Sequence, residues 1–407
     1  MDAPFLFVDE VDTAGRRCLV RLDLNVPLAD GKVTDDTRIR RILPGLAALR
    51  ATGARIIILT HLGRPKGKVA PEFSVAPVAA HLAGLLGCPV AVESDLPRTG
   101  TGTGTGARDA VAALADGDVM MMENLRFHAG EEANDPEFAA TLASLGDIYV
   151  GDAFSCTHRA HASVEALPRL MTVATAGRAL GAELSALHAA LASPTRPVAA
   201  IVGGAKVSTK LQVLENLITK TDRLVLGGGM ANTFLMAAGQ DVGASLVEAD
   251  MVDTARAISD KAAAHGCQII LPEDFLVATK LAADVPHRVA MPGGVAPDEM
   301  ILDAGPQSVA TAVADLAGCR TIVWNGPMGA FEFPPFDSAT NAVARAVAKT
   351  TQAGDTMSVA GGGDTLAALA NAGVSDQFSY VSTAGGAFLE WLEGRALPGV
   401  EALRRPD

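Results

Sequence analysis

Cationic side chains recur at the ends of apolar runs across the first 165 residues. The stretches are Arg21-Leu22-Asp23-Leu24-Asn25-Val26-Pro27 with Arg38, then His61-Leu62-Gly63-Arg64-Pro65, Glu123-Asn124-Leu125-Arg126-Phe127-His128, and His158-Arg159-Ala160-His161. A planar guanidinium grips carboxylate or phosphate through two parallel hydrogen bonds, so several on one face make a seat for a small polyanion. A single arginine is ordinarily a solvated surface residue. Repetition where strands stop and loops begin sets these apart, and it predicts a small, multiply charged ligand.

The second half carries glycine-rich turns of a different kind. They are Gly203-Gly204-Ala205-Lys206-Val207-Ser208-Thr209-Lys210, Gly227-Gly228-Gly229-Met230-Ala231-Asn232 and Gly361-Gly362-Gly363-Asp364-Thr365, each after a candidate strand and opening a candidate helix. Glycine lets backbone approach a ligand closely, and a helix start offers free N–H groups to phosphate. Neither the P-loop spacing nor the dinucleotide fingerprint is met. One such turn reads most simply as a tight βα connection; three in one half favour a nucleotide at the carboxyl edge of a sheet. Lys206 and Lys210 bring charge to it. Asp364 is either a ligand of Mg²⁺, which takes one or two carboxylates plus phosphates, or only a helix cap. A polyanion seat in one half and a nucleotide seat in the other suggest phosphoryl transfer, which depends on alignment and charge neutralisation. No general base stands out, which fits an acceptor that is already ionised.

These residues need elements to hold them. At 407 residues the chain exceeds the size of one hydrophobic core, so two domains are expected. Apolar residues are 49% and aromatics 4%, so cores must be built from Ala, Val, Leu and Ile. A formal charge of -13 argues against nucleic acid and anionic membrane as partners. Five scattered cysteines without a Cys-x-x-Cys pair read as free thiols in a reducing compartment, and the start Met1-Asp2-Ala3-Pro4 lacks a basic leader region. A cytoplasmic, monomeric protein is expected. Apolar runs such as Arg55 to Leu59, Val198 to Val202 and Thr321 to Trp324 alternate with Ala/Leu-rich helical stretches such as Arg38 to Thr52, Ala76 to Leu86 and Ala339 to Lys349. Such runs, apolar without alternation, predict parallel strands covered on both faces, hence α/β architecture with doubly wound sheets. The expected division is a first domain over 1–177, a linker helix over 178–195 and a second domain over 196–391, with 392–407 packing back on the first. The Gly-Thr repeat of Gly100 to Gly106 predicts a surface loop.

Taken together, the motifs above, with Asp152-Ala153-Phe154, Trp324-Asn325-Gly326-Pro327 and Phe331-Glu332, closely resemble the phosphoglycerate kinase family, in order from about Val11 to Pro398. The resemblance implies two Rossmann-like domains joined by a helix. It implies reversible phosphoryl transfer between 1,3-bisphosphoglycerate and MgADP, giving 3-phosphoglycerate and MgATP, across a cleft that closes. It assigns substrate binding to Asp23, Asn25, Arg38, His61, Arg64, Arg126 and Arg159. Nucleotide binding falls to Gly203, Lys206, Lys210, Gly227, Gly228, Asn325, Glu332, Gly362, Gly363, Asp364 and Thr365, with Asp364 on Mg²⁺. Arg38, Lys206, Gly362 and Gly385 would be catalytic. Ser155-Cys156 stands where the family usually has Gly-Thr, and Ala384 where a glycine is common. A non-catalytic nucleotide sensor of the same fold would have lost a transfer residue, yet Arg38, Lys206 and Asp364 are all present. A dinucleotide dehydrogenase would need the fingerprint that is missing.

Overall fold

The computed structural model describes residues 5–95 and 105–405. Met1–Pro4 and most of the Gly-Thr repeat lie outside them; Thr105 and Gly106, expected in the loop, instead open the helix Thr105–Ala112.

Two six-stranded sheets carry the fold, and every pairing within them is parallel. The first runs in the order Val90–Glu93, Val119–Met122, Arg55–Leu59, Arg17–Leu22, Ile148–Asp152, Ala174–Ala176. The second runs Gln268–Ile270, Arg223–Leu226, Val198–Val202, Thr321–Asn325, Met357–Gly361, Tyr380–Ser382. The central strands are buried end to end, as apolar runs without alternation require. Helices such as Thr37–Ala51 turn a narrow apolar stripe inward, here Ile39, Ile42, Leu46 and Leu49. Burying a side chain of that size stabilises the fold by about 1.5–3 kcal/mol.

In both sheets the chain order reverses near the centre, between Arg17–Leu22 and Ile148–Asp152 in the first and between Val198–Val202 and Thr321–Asn325 in the second. Ligands of doubly wound folds bind outside the carboxyl ends of the strands at such a switch. The strands next to each switch end at the motifs singled out above.

A smaller antiparallel sheet, Arg288–Ala290, Phe275–Ala278, Met300–Ala304, follows the edge strand Gln268–Ile270 of the second sheet in the chain. The chain forms two compact units, one reaching to Leu184 and resuming at Ala396, the other running from Ser185 to Arg395. No helix among the described residues is long and apolar enough to cross a membrane.

Candidate functional site

The polyanion seat lies wholly in the first unit, on loops stitched together by buried polar side chains. Thr60 Oγ1 donates to Leu22 O (3.1 Å) and accepts from Leu24 N (3.2 Å), tying the ends of two neighbouring strands. Asn25 Oδ1 accepts from Gly63 N at 2.9 Å. Fully buried Asn124 donates to Leu62 O (2.7 Å) and Phe73 O (2.9 Å). Gly63 has φ +61°, and a Cβ there would lie 2.3 Å from the Phe73 ring, so any other residue would strain the His61–Pro65 turn and displace that ring.

Onto this frame the structure brings Asp23, Asn25, Arg38, His61 and Arg126. Arg38 Nη1 donates to Asp23 Oδ2 (2.7 Å) and to Asn25 O (3.2 Å), while its side chain stays 42% exposed. Arg126 is buried and donates to Gly63 O at 2.8 Å. Its Nε lies 3.4 Å from Glu132 Oε1, an ion-pair separation without hydrogen-bond alignment. Arg159 is exposed, with Nε on His158 Nε2 at 3.1 Å. Arg64 is exposed, and its side chain has no hydrogen bond or ion pair with the described residues.

Arg21 departs from expectation. It heads the first motif, yet it is only 2% exposed and donates to Ser163 Oγ (2.8 Å), to Leu22 O and to His61 Nδ1 (3.1 Å). It is a strut rather than a ligand. Because it donates into Nδ1, the neutral His61 ring carries its proton on Nε2 and presents a donor. Burial, with Arg21, Arg126, His161 and Arg159 behind it, holds the His61 pKa well below its ordinary value. Burial and the same guanidiniums push His161 down to about 4. Both rings are therefore neutral at pH 7, and the seat's positive charge comes from arginine. Asp23, His61 and Cys156 bring potential ligand atoms within 4.8 Å of one another, but the Arg21 guanidinium already hydrogen-bonds His61 and Cys156, which disfavours a second cation.

The second unit holds the glycine turns around a cavity of about 280 Å³ lined by Gly204, Gly228, Leu246, Leu302, Asp303, Glu332 and Asp364, among others. The crossing of two backbones defines its rim. A Cβ on Gly203 would sit 1.7 Å from Pro327 O, and one on Gly326 would sit 2.2 Å from Gly203 O. Gly227 meets the Met328 backbone in the same way, at 2.6 Å. Gly203 and Gly227, expected to line the nucleotide, thus face the 326–328 backbone and do not line the cavity. Gly228, with φ +68°, and exposed Glu332 do line it.

Above the cavity the helix Gly363–Asn371 starts after Gly362, whose φ of +102° no other residue adopts readily. Exposed Gly363 and Asp364 lie in its first turn, where N–H groups have no intrahelical acceptor. Thr365 is buried, its hydroxyl donating to Gly361 O (2.9 Å) and accepting from Gly326 N (2.8 Å), which leaves only its backbone for a ligand. Asn325 is likewise consumed within the fold, donating to Gly361 O at 2.7 Å and accepting from Lys210 Nζ. It holds the lysine in place. Burial lowers the Lys210 pKa to about 8, against the opposing pull of Asp364 and Glu393. Lys206 is exposed on the same turn. Gly385, with φ +48°, caps the short helix Gly386–Leu392 and has open space on its Cβ side.

Asp303, which nothing in the sequence announced, is 2% exposed. Its Oδ2 accepts from Ala339 N (2.8 Å) and Ser338 Oγ (3.0 Å), while Oδ1 has no partner. Burial pushes its pKa up to about 7, against the pull of the Ala339, Ser338 and Ala304 donors.

The family model for phosphoglycerate kinase matches residues 8–395. The phosphoglycerate kinase of Azorhizobium caulinodans is 59% identical over 401 residues, covering 98% of this chain and 99% of its own. That of Xanthobacter autotrophicus is 57% identical over 401 residues, covering 98% and 99%. Among solved structures, phosphoglycerate kinase from Coxiella burnetii superposes with a TM-score of 0.92 at 44% identity, covering 98% of this chain and 99% of that one. The enzyme from Pyrococcus horikoshii gives 0.76 at 29% identity, covering 98% of each chain.

Proposed function

The chain belongs to the phosphoglycerate kinase family, and from that premise we propose how its own residues divide the work of the reaction. It is a phosphotransferase of glycolysis, passing a phosphoryl group between 1,3-bisphosphoglycerate and ADP to give 3-phosphoglycerate and ATP. Arg38, Arg64, Arg126 and Arg159 hold the phosphate and carboxylate charges of the glycerate, with neutral His61 donating from Nε2. Asp23 and Asn25 accept from or donate to its oxygens. In the second unit the base and ribose take the cavity beside Leu246 and Glu332, and the phosphates meet the helix start at Gly362–Thr365, with Lys210 and Lys206.

The observation that carries this reading is the contrast between the two ligand seats. One is an arginine cluster with the Asp23 carboxylate hydrogen-bonded within it; the other joins an apolar cavity to an open helix N-terminus. The acceptor carboxylate is ionised, so no base is required. Arg38 and Lys206 neutralise the charge on the phosphoryl group in flight. An exposed carboxylate beside a phosphate seat suits Mg²⁺, and Asp364 lines the cavity. Mg²⁺, when bound with the nucleotide, would neutralise charge on the phosphate oxygens. The five cysteines are free, which suits a reducing cytoplasm, and the protein acts as a monomer.

The test is ADP release from ATP and Mg²⁺ with and without 3-phosphoglycerate. Turnover must depend on 3-phosphoglycerate; ATP hydrolysis at the same rate without it would overturn the assignment. Size-exclusion chromatography checks the monomer.

A further inference from the structure

Ser155 sits on the 3₁₀ turn Phe154–Cys156, directly after the strand Ile148–Asp152. That strand pairs in parallel with Arg17–Leu22, Leu22 opposite Asp152, so the segments that follow them lie side by side at the carboxyl edge. The turn is rigidly built. Cys156 N donates to Ala153 O (3.0 Å), Thr157 N to Phe154 O (3.0 Å), and Thr157 Oγ1 to the same oxygen at 2.7 Å. Phe154, Cys156 and Thr157 are all buried, leaving the half-buried Ser155 hydroxyl as the polar group the turn offers to the seat.

It donates to Asp23 Oδ2, the same oxygen that accepts from Arg38 Nη1 at 2.7 Å. Asp23 Oδ1 accepts from Asn25 N at 3.2 Å. The carboxylate is therefore held on both oxygens, by Ser155, Arg38 and Asn25 N. It is only 11% exposed, and a carboxylate so withdrawn from water is costly to leave short of donors.

We propose that Ser155 is a positioning residue for the glycerate: its hydroxyl fixes the Asp23 carboxylate against that substrate. The inference rests on the assignment of Asp23 to substrate binding, and it adds a residue to which no role has been given.

The experiment compares Ser155→Ala, Ser155→Thr and Asp23→Asn by steady-state kinetics, varying each substrate with the other saturating. Removing a hydrogen bond to a half-buried charge should lower kcat/KM for 3-phosphoglycerate by about 3- to 10-fold in Ser155→Ala. kcat/KM for MgATP should stay within about twofold, a separation that general damage to the fold does not produce. Ser155→Thr keeps the hydroxyl and should stay near the parent. An unchanged 3-phosphoglycerate value in Ser155→Ala, an equal loss for both substrates, or a loss in Ser155→Thr as large as in Ser155→Ala would overturn the proposal. Asp23→Asn separates the two levels: if it too leaves 3-phosphoglycerate use intact, the assignment of Asp23 fails; if it is impaired while Ser155→Ala is normal, only the role of Ser155 fails.

Discussion

Arg21 and Arg38 both lie at the carboxyl edge of the first sheet, but one is 2% exposed and the other has a side chain 42% exposed. The buried guanidinium sets a histidine tautomer; the exposed one is free to follow a ligand. Arg38→Ala should therefore lower kcat by about 10²-fold or more, as loss of an electrostatic stabiliser does, with a smaller change in the KM for 3-phosphoglycerate. An unaltered kcat would remove Arg38 from the mechanism. Lys210 makes a second expectation, in pH. Burial has brought its pKa down to about 8, so above that pH it sheds the charge that holds phosphate. kcat/KM for MgATP, which reports the free enzyme, should fall as pH rises through about 8, and Lys210→Arg should flatten that limb. Asp364→Asn offers the third test. The cap position is Gly362 and Asp364 stands in the first turn, where losing its charge costs the helix only about 0.3–1 kcal/mol, so a carboxylate with no further role would tolerate the change; one that serves Mg²⁺ should lose MgATP use while 3-phosphoglycerate binding by calorimetry persists. The cluster of polar residues in the first unit was legible because its motifs follow the ends of neighbouring strands. Sequence gives residue type and not direction, so it did not show that Arg21, Asn325 and Thr365 point inward and spend side-chain polar atoms on the fold. Asp303 left no signal, since single carboxylates near strand ends are commonplace, and Ser155 stood out only as a departure from the family's usual Gly-Thr, with no role attached.

At the scale of elements, the buried parallel strands were readable from unbroken apolar runs, and helix Ala76–Leu86 has the bounds its pattern implied. The edge strands Val90–Glu93, Ala174–Ala176 and Tyr380–Ser382 were not, being short or half-exposed. The antiparallel sheet was missed too, because the Arg288–Ala290 strand is mostly exposed and its pairing is decided by distant partners. Helix Gly228–Ala237 is buried over most of its length and begins with glycine, so it shows no amphipathic period. Two predictions belong here. Gly203→Ala would put a Cβ 1.7 Å from Pro327 O, with backbone on both sides and no flexible atom to yield. It should destabilise the second unit by about 3 kcal/mol or more in chemical denaturation, a large loss even for an overpacked core. Asp303 concerns pH. Its pKa is raised from 3.8 to about 7, so its contribution to stability is fully present below pH 3.8 and is lost as pH rises to about 7. Relative to Asp303→Asn, the parent's melting temperature should therefore decline through that window and level off above it.

For the whole molecule, the two seats lie in different compact units, and the phosphoryl group must pass from one to the other with water excluded. Interactions with both ligands are needed to favour a closed arrangement, so the radius of gyration from solution scattering should fall with 3-phosphoglycerate and an unreactive MgATP analogue together, and stay constant with either alone. Equal dimensions in free and doubly liganded protein would count against closure. The existence of two units was legible from length and from the repeated alternation of strand and helix. The seam was less so. The first unit gives way to the second between Leu184 and Ser185, within the segment expected to link the domains, and the chain returns between Arg395 and Ala396. Leu392 and Arg395 stay with the second unit, accepting from Asn216 Nδ2 (2.7 Å) and donating to Gln212, so the return begins a few residues after the expected 392. Only tertiary partners fix such a point.

That return has a consequence for how the protein is made. The segment from Ala396 is built into the first unit: Gly399 N donates to Thr157 O at 2.9 Å, a Cβ at Gly399 would lie 2.6 Å from Val164, and Phe5 bridges Arg404. Gly399 thus buttresses the turn that carries Ser155. A ribosome delivers the first unit's strands early and this segment only after the whole second unit has emerged. Until then the nascent first unit lacks the backbone bond from Gly399 to Thr157, next to the turn that carries Ser155.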